Sequence, residues 1–171
     1  EGQALWVADH VDRLWQVERV SWDDSGTLKV EMLPGLNDSR RDSEALRLPD
    51  GRVMVIGGLR ETTEFFDVAT RRWRYGPALP EPVVRAQAAL FRDGRVLLVS
   101  GRIWLWKPGA SQWEDLGLNQ SLDALRGITP ISDDEVIGVH ENETRIYDLR
   151  DRSLRIGPDL AEPHQDARFV R

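Results

Sequence analysis

The apolar positions of this chain fall in short runs of four or five residues, and no stretch sustains the three-to-four-residue spacing of an amphipathic helix. Val53 to Ile56, Val96 to Val99 and Val136 to Val139 are such runs, each preceded by an Asp-containing turn at Asp50-Gly51, Asp93-Gly94 or Asp133-Asp134. Short runs punctuated by Asp-Gly and Asx turns read as strands joined by tight connections. The pattern predicts an all-β chain.

The runs are also copies of one another. Asp50 to Gly58 overlays Asp93 to Gly101 at an offset of 43 residues, and Asp133 to Glu141 follows 40 residues later. The third copy keeps the turn and the apolar run but lacks the glycine pair seen at Gly57-Gly58. Downstream, Phe66-Asp67 precedes Trp73, Trp106-Lys107 precedes Trp113, and Tyr147-Asp148 precedes Leu154, each aromatic by seven residues. A Gly-Pro step then recurs at Gly76-Pro77 and Gly157-Pro158, with Leu79 and Leu160 two residues after each proline. Leu5 to Ala8, Leu14 to Trp22 and Leu28 to Leu33 fit the same plan with stretched spacing.

Four strands repeated about every 40 residues are the signature of radial repetition. The expected fold is all-β: a β-propeller of four-stranded antiparallel blades, about four blades' worth. The blade units fall at about 4–36, 43–79, 86–118 and 125–160, with a final strand at 166–171, all in one propeller domain or segment spanning 1–171. The first unit has the second, third and fourth strands but not the first, and 166–171 is a first strand without a blade after it. Two arrangements follow: a closed four-bladed ring in which 166–171 completes the first blade, or an arc of a larger ring. The start at Glu1, without methionine, favours the arc and remaining blades in a parent chain.

Val53 to Gly58, then Glu64-Phe65-Phe66-Asp67 and Trp73, resembles the kelch repeat; Val96 to Gly101 with Trp106 and Trp113 is a fair match, and Val136 to Tyr147 a degenerate one. The resemblance covers about residues 43–171 and implies a propeller. It implies no single activity, because that fold carries both binding modules and enzymes. The leading expectation is a non-catalytic module that binds protein or carbohydrate through its loops, or a structural domain of a larger protein. The alternative is part of a propeller enzyme of glycoside hydrolase or lyase type. Trp73 and Trp113 are expected to pack between blades, with truncation to alanine costing about 3–5 kcal/mol.

Composition narrows the chemistry. A net charge of −6 argues against a nucleic-acid surface, which needs a basic face. Without cysteine there is no disulfide framework, no thiolate metal site and no Tyr-Cys crosslink of the kind a copper oxidase resembling galactose oxidase needs. No apolar run approaches the length of a membrane-spanning helix, no signal-peptide pattern is present, and the compartment stays open. The excess of arginine over lysine fits a GC-rich bacterial gene, in which the Asn-x-Ser/Thr triplets at Asn37, Asn119 and Asn142 carry no glycosylation meaning. The stretch Ser21 to Leu28 comes close to the Asp-turn of sialidase-like propellers, but Gly26 is one residue late and Leu28 replaces Trp.

Ligands of propellers meet the loops on one face, so the candidate rim is the set of loops after each second strand and before each first strand. These carry Arg40, Arg41, Arg60, Glu61, Arg85, Arg102, His140 and Glu141. Converging arginines suit a carboxylate or an acidic partner; the plainer expectation is a solvated, mutually paired rim. His10, His140 and His164 lack ligand spacing, so neither metal nor cofactor is expected.

Overall fold

The computed structural model describes residues 2–7, 16–118, 125–140 and 142–161, and these hold fifteen strands and no helix. The strands form one three-stranded and three four-stranded sheets, antiparallel throughout and each built from strands consecutive in sequence. The first sheet comprises β1 (Gly2–Val7), β2 (Val17–Trp22) and β3 (Leu28–Leu33); the second β4 (Ser43–Arg47), β5 (Val53–Gly57), β6 (Glu64–Asp67) and β7 (Arg72–Tyr75). The third comprises β8 (Gln87–Leu90), β9 (Val96–Ser100), β10 (Arg102–Trp106) and β11 (Glu114–Leu118); the fourth β12 (Arg126–Pro130), β13 (Glu135–His140), β14 (Glu143–Asp148) and β15 (Leu154–Ile156). Each is a meander blade of a β-propeller. The proposed final strand at 166–171 lies outside the described residues.

The chain divides into two compact units, Glu1–Arg85 and Ala86–Arg171, with two blades in each. In the first, Val17, Leu33 and Leu36 bury against Val53, Val55 and Phe66 of the next sheet, with Trp73 packed at the edge. The Phe66 and Trp73 ring centroids lie 4.9 Å apart, and Trp73 Nε1 donates to the Pro34 carbonyl at 2.7 Å, so this tryptophan ties one blade to the preceding one. In the second unit, Leu97, Val99, Ile103 and Leu105 pack with Ile128, Val136 and Tyr147. Strand β5 is buried along its whole length, and its sequence is accordingly a continuous apolar run.

Polar devices repeat with the blades. Asp50, Asp93 and Asp148 each accept the backbone N–H of the residue two positions on, at 3.0, 3.0 and 2.9 Å. That residue is an arginine each time, and its guanidinium returns to the same carboxylate. Arg71 and Arg152, both with positive φ (57° and 58°), reach back from the turn before the last strand of a blade to Glu31 and Glu114 on the last strand of the preceding one. The Gly-Pro steps are pinned in parallel: Gly76 and Gly157 donate N–H to Thr63 and Thr144 carbonyls at 2.8 Å. The same threonines donate their buried hydroxyls to the Pro77 and Pro158 carbonyls at 2.8 and 2.7 Å.

Candidate functional site

Three loops of the first unit are stitched into one rim. Arg41 N–H donates to the Gly58 carbonyl, Leu59 N–H to the Val83 carbonyl at 3.0 Å, and Leu79 N–H to the Glu61 carbonyl at 2.7 Å. An isolated antiparallel bridge joins Arg60 and Val83. The glycine pair makes this possible: Gly58 has φ +77°, and a Cβ there would lie 2.7 Å from Arg40 Cβ and 2.9 Å from Arg41 N. Only a glycine lets the loop after β5 lie against the loop before β4.

Beneath the rim is a buried ion pair. Arg40 is 1% exposed, and its guanidinium donates to Glu64 Oε1, to the Gly57 and Thr62 carbonyls at 2.9 and 2.7 Å, and to Thr62 Oγ1 at 2.9 Å. Glu64 Oε2 accepts from the Asn37 backbone and side-chain amides, both at 2.8 Å, and Oε1 from the Asp38 backbone at 3.2 Å. Every lone-pair direction of the carboxylate that points into the loop meets a donor, as a buried charge requires. Asp38 extends the network outward: it accepts from the Thr62 hydroxyl at 2.6 Å and from the exposed Tyr75 hydroxyl at 3.3 Å. Partial desolvation by the neighbouring loop, and then the Asp38 charge, hold the Tyr75 phenol above its ordinary range.

The structure therefore corrects one member of the expected rim: Arg40 is a buried scaffold residue and presents no charge to a ligand. Its pairing with Glu64, 24 residues later, joins positions that no local spacing connects. Arg41, Arg60, Glu61 and Arg85 are exposed on the three stitched loops. Arg60 Nε and Nη2 donate to the carbonyl and hydroxyl of Ser39, both at 3.0 Å, so its orientation is fixed by neutral oxygens. Exposed Leu59 and Val84 sit in the same loops, and sequence reading passed over both. Asp42, Leu59 and Arg85 have φ of 56°, 65° and 49°. Left-handed backbone at three non-glycine residues of one rim is strain held in place by its surroundings.

The other expected members lie in the second unit. Arg102 begins β10 and pairs with Asp115 on β11, which pulls the Asp115 carboxyl below its ordinary range. His140 ends β13, half-buried, opposite Glu143. Glu141, His10 and His164 lie outside the described residues. Among the described residues no three His, Asp or Glu side chains are grouped to hold a metal ion, and no helix is long and apolar enough to cross a membrane.

Four-stranded meander blades define the chain as a β-propeller protein. No family model matches it. It is similar to a putative F-box/kelch-repeat protein of Arabidopsis thaliana, 26% identical over 98 residues, which span 53% of this chain and 25% of that protein. Among solved structures it is similar to YjhT, with a TM-score of 0.66, 9% identity, and coverage of 86% of this chain and 61% of that one. Virginiamycin B lyase from Staphylococcus aureus gives a TM-score of 0.59, 13% identity, and coverage of 84% and 48%. The chain thus spans a quarter of the curated relative and about half to three fifths of the propeller structures it resembles. Its repeats resemble those of kelch-repeat proteins.

Proposed function

We propose that the chain is a non-catalytic binding module whose ligand, a protein segment or a carbohydrate, seats on the rim of the first unit. The observation that carries this reading is Arg60. Its guanidinium is anchored on the two oxygens of Ser39, neither of them charged, and stands exposed between Leu59 and the Val83–Arg85 loop. A fixed cation beside exposed apolar side chains is preorganised for a carboxylate-bearing partner, because little side-chain entropy is lost on binding. A protein segment fits better than a sugar, since Leu59 and Val84 are aliphatic. Screening the chain against immobilised peptides and a glycan array, then repeating the positives with Leu59→Asp and Arg60→Glu, tests it. Rim binding requires at least a tenfold loss with each substitution, and positives that survive both refute it.

The enzyme alternative has one observation in its favour, the Asp38 carboxylate held against the Tyr75 phenol at the edge of the same rim. Asp38→Asn and Tyr75→Phe separate the two readings. A binding module keeps its affinity within a few-fold in both variants, whereas an enzyme loses turnover in at least one.

A further inference from the structure

Two Asp-Gly steps occur in the chain, Asp50-Gly51 and Asp93-Gly94, each in the turn between the first and second strands of a blade. Such a step is open to imide formation, because a glycine without a Cβ leaves its backbone nitrogen free to approach the preceding Asp Cγ. The two turns share one backbone. Gly51 and Gly94 have φ of +88° and +89°, and their N–H groups donate to the Leu48 and Phe91 carbonyls at 2.9 and 3.0 Å. In each, Asp Oδ1 accepts the backbone N–H of the arginine two positions on, and Oδ2 accepts from its guanidinium. These bonds must break, and the carboxyl must take up a proton, before the nitrogen can attack, since a carboxylate is a poor acylating group. The Arg52 side-chain bonds hold the Asp50 carboxyl below its ordinary range. At Asp93 burial pushes upward, but the Arg95 backbone and side-chain bonds outweigh it.

The sites differ in what holds the arginine. Both guanidiniums lie over an aromatic ring, Arg52 over Phe65 at 4.6 Å and Arg95 over Phe91 at 4.9 Å. Arg95 is also anchored on the next blade: Nη1 and Nη2 donate to Asp134 Oδ1, both at 3.2 Å, and Nη2 donates to the Asp133 carbonyl. Its side chain is 19% exposed, and Gly94 beside it is buried. Among the described residues the carboxylate partner of Arg52 is Asp50 itself, and the Arg52 side chain is 38% exposed. Gly51 is half-buried, and a Cβ built on it meets nothing within 4 Å, so this turn has room to distort. Releasing Asp93 means working against two blades, whereas releasing Asp50 disturbs one hairpin end.

We propose that Asp50 is a site of covalent modification, isomerising through an imide with Gly51, and that the hold of the next blade on Arg95 guards Asp93 against the same reaction. The Gly51 nitrogen bonds to Asp50 Cγ, the amide proton and the carboxyl hydroxyl leave together as water, and a succinimide closes. Water then opens the ring at the Asp50 backbone carbonyl, so that the chain runs through Cγ and an α-carboxylate is freed, giving isoaspartate. No oxidant, reductant or cofactor enters. The new α-carboxylate is the acceptor for S-adenosylmethionine-dependent methyltransferases that esterify isoaspartyl groups, which makes an enzyme of that class the partner for this turn. The turn joins β4 to β5, whereas the rim loops precede β4 and follow β5, so the site does not depend on the reading given for the rim.

Ageing the folded chain at pH 6, followed by tryptic mapping with isoaspartyl methyl transfer as the readout, tests this, because cleavage after arginine places the two sites in separate peptides, 48–52 and 93–95. The expected result is at least fivefold more isoaspartate in 48–52 than in 93–95, with the two within about twofold of each other in the chain unfolded in urea. Each unit of pKa released multiplies the reactive acid about tenfold. Arg52→Met therefore accelerates the reaction at Asp50, and Arg95→Met, which removes both the charge and the anchor, accelerates it at Asp93 by a larger factor. Both variants are checked for a folded melting transition, and Asp50→Glu, which cannot close the five-membered ring, abolishes the signal in 48–52. The proposal is overturned if neither peptide gains isoaspartate or if 93–95 gains as much as 48–52. It is also overturned if the difference persists in urea, which would assign it to local sequence, or if Arg95→Met leaves Asp93 unchanged.

Discussion

Replacing Arg40 with alanine removes one half of an ion pair in which both side chains are fully buried. The Glu64 carboxylate keeps its bonds from Asn37 and Asp38 but loses its countercharge, and the Gly57 and Thr62 carbonyls lose the guanidinium donors. Breaking a buried pair from one side costs about 3–5 kcal/mol, mostly because a charge is left unpaired in a medium that solvates it poorly. Replacing both partners by apolar residues of similar size removes that charge, so Arg40→Met with Glu64→Leu is expected to cost less than Arg40→Ala alone. The double variant also removes the acceptor of the Asn37 and Asp38 N–H groups, but these belong to an exposed and a half-buried residue, where water can take the place of the carboxylate. Urea unfolding of the parent chain, Arg40→Ala and the double variant measures this, read from the midpoint at constant m. Arg40→Ala costing under about 1 kcal/mol, or a double variant less stable than Arg40→Ala, refutes the view that the rim stands on this pair.

Trp73→Phe keeps the contact with Phe66 but loses the bond to the Pro34 carbonyl, so it should cost about 1–2 kcal/mol, against about 3–5 kcal/mol for Trp73→Ala, both measured by urea unfolding. Gly76→Ala places a Cβ 2.4 Å from Phe65 Cε2 and 2.6 Å from Thr63 Oγ1, and an overpacking cost of about 1–3 kcal/mol should appear as a lower melting temperature. Acid should destabilise the blades through their Asp-turns. The Arg150 side chain and backbone bonds hold Asp148 down to about 2, and Arg52 lowers Asp50 in the same way. Because these carboxyls are depressed in the folded chain, their stabilisation is complete above the unfolded value of about 4 and is lost as pH falls toward 2. Melting temperatures from pH 6 to 2 should fall mainly below pH 4, and less steeply in Asp148→Asn.

Several features of the chain were legible without coordinates, for a local reason. A strand has a period of two, and a tight turn needs Asp, Gly or Pro at fixed offsets, so the apolar runs of β5, β9 and β13 and the turns before them announce themselves. The seven-residue step from Phe66 to Trp73 spans one hairpin, and that geometry repeats wherever the sequence does. Thr63 and Thr144 were legible in principle too, each 14 residues before the proline whose carbonyl it binds, but a single hydroxyl is a weak signal beside a tryptophan.

What the sequence by itself determined is the blade: its strands, its turns, its repeat and its resemblance to kelch repeats. The tertiary structure alone decided which charges are inside. Arg40 and Arg41 are neighbours of the same type in one loop, yet the first is buried on Glu64 and the second is exposed. That difference depends on the close approach of the loops at Gly58, a contact between segments far apart in the chain. The same holds for β3. Alternation predicts that Leu28, Val30 and Met32 share a face, but only the packing of the neighbouring sheet on the opposite side determines that this face is the one left open. Short-range periodicity fixes which side chains lie together, and long-range packing fixes what, if anything, covers them.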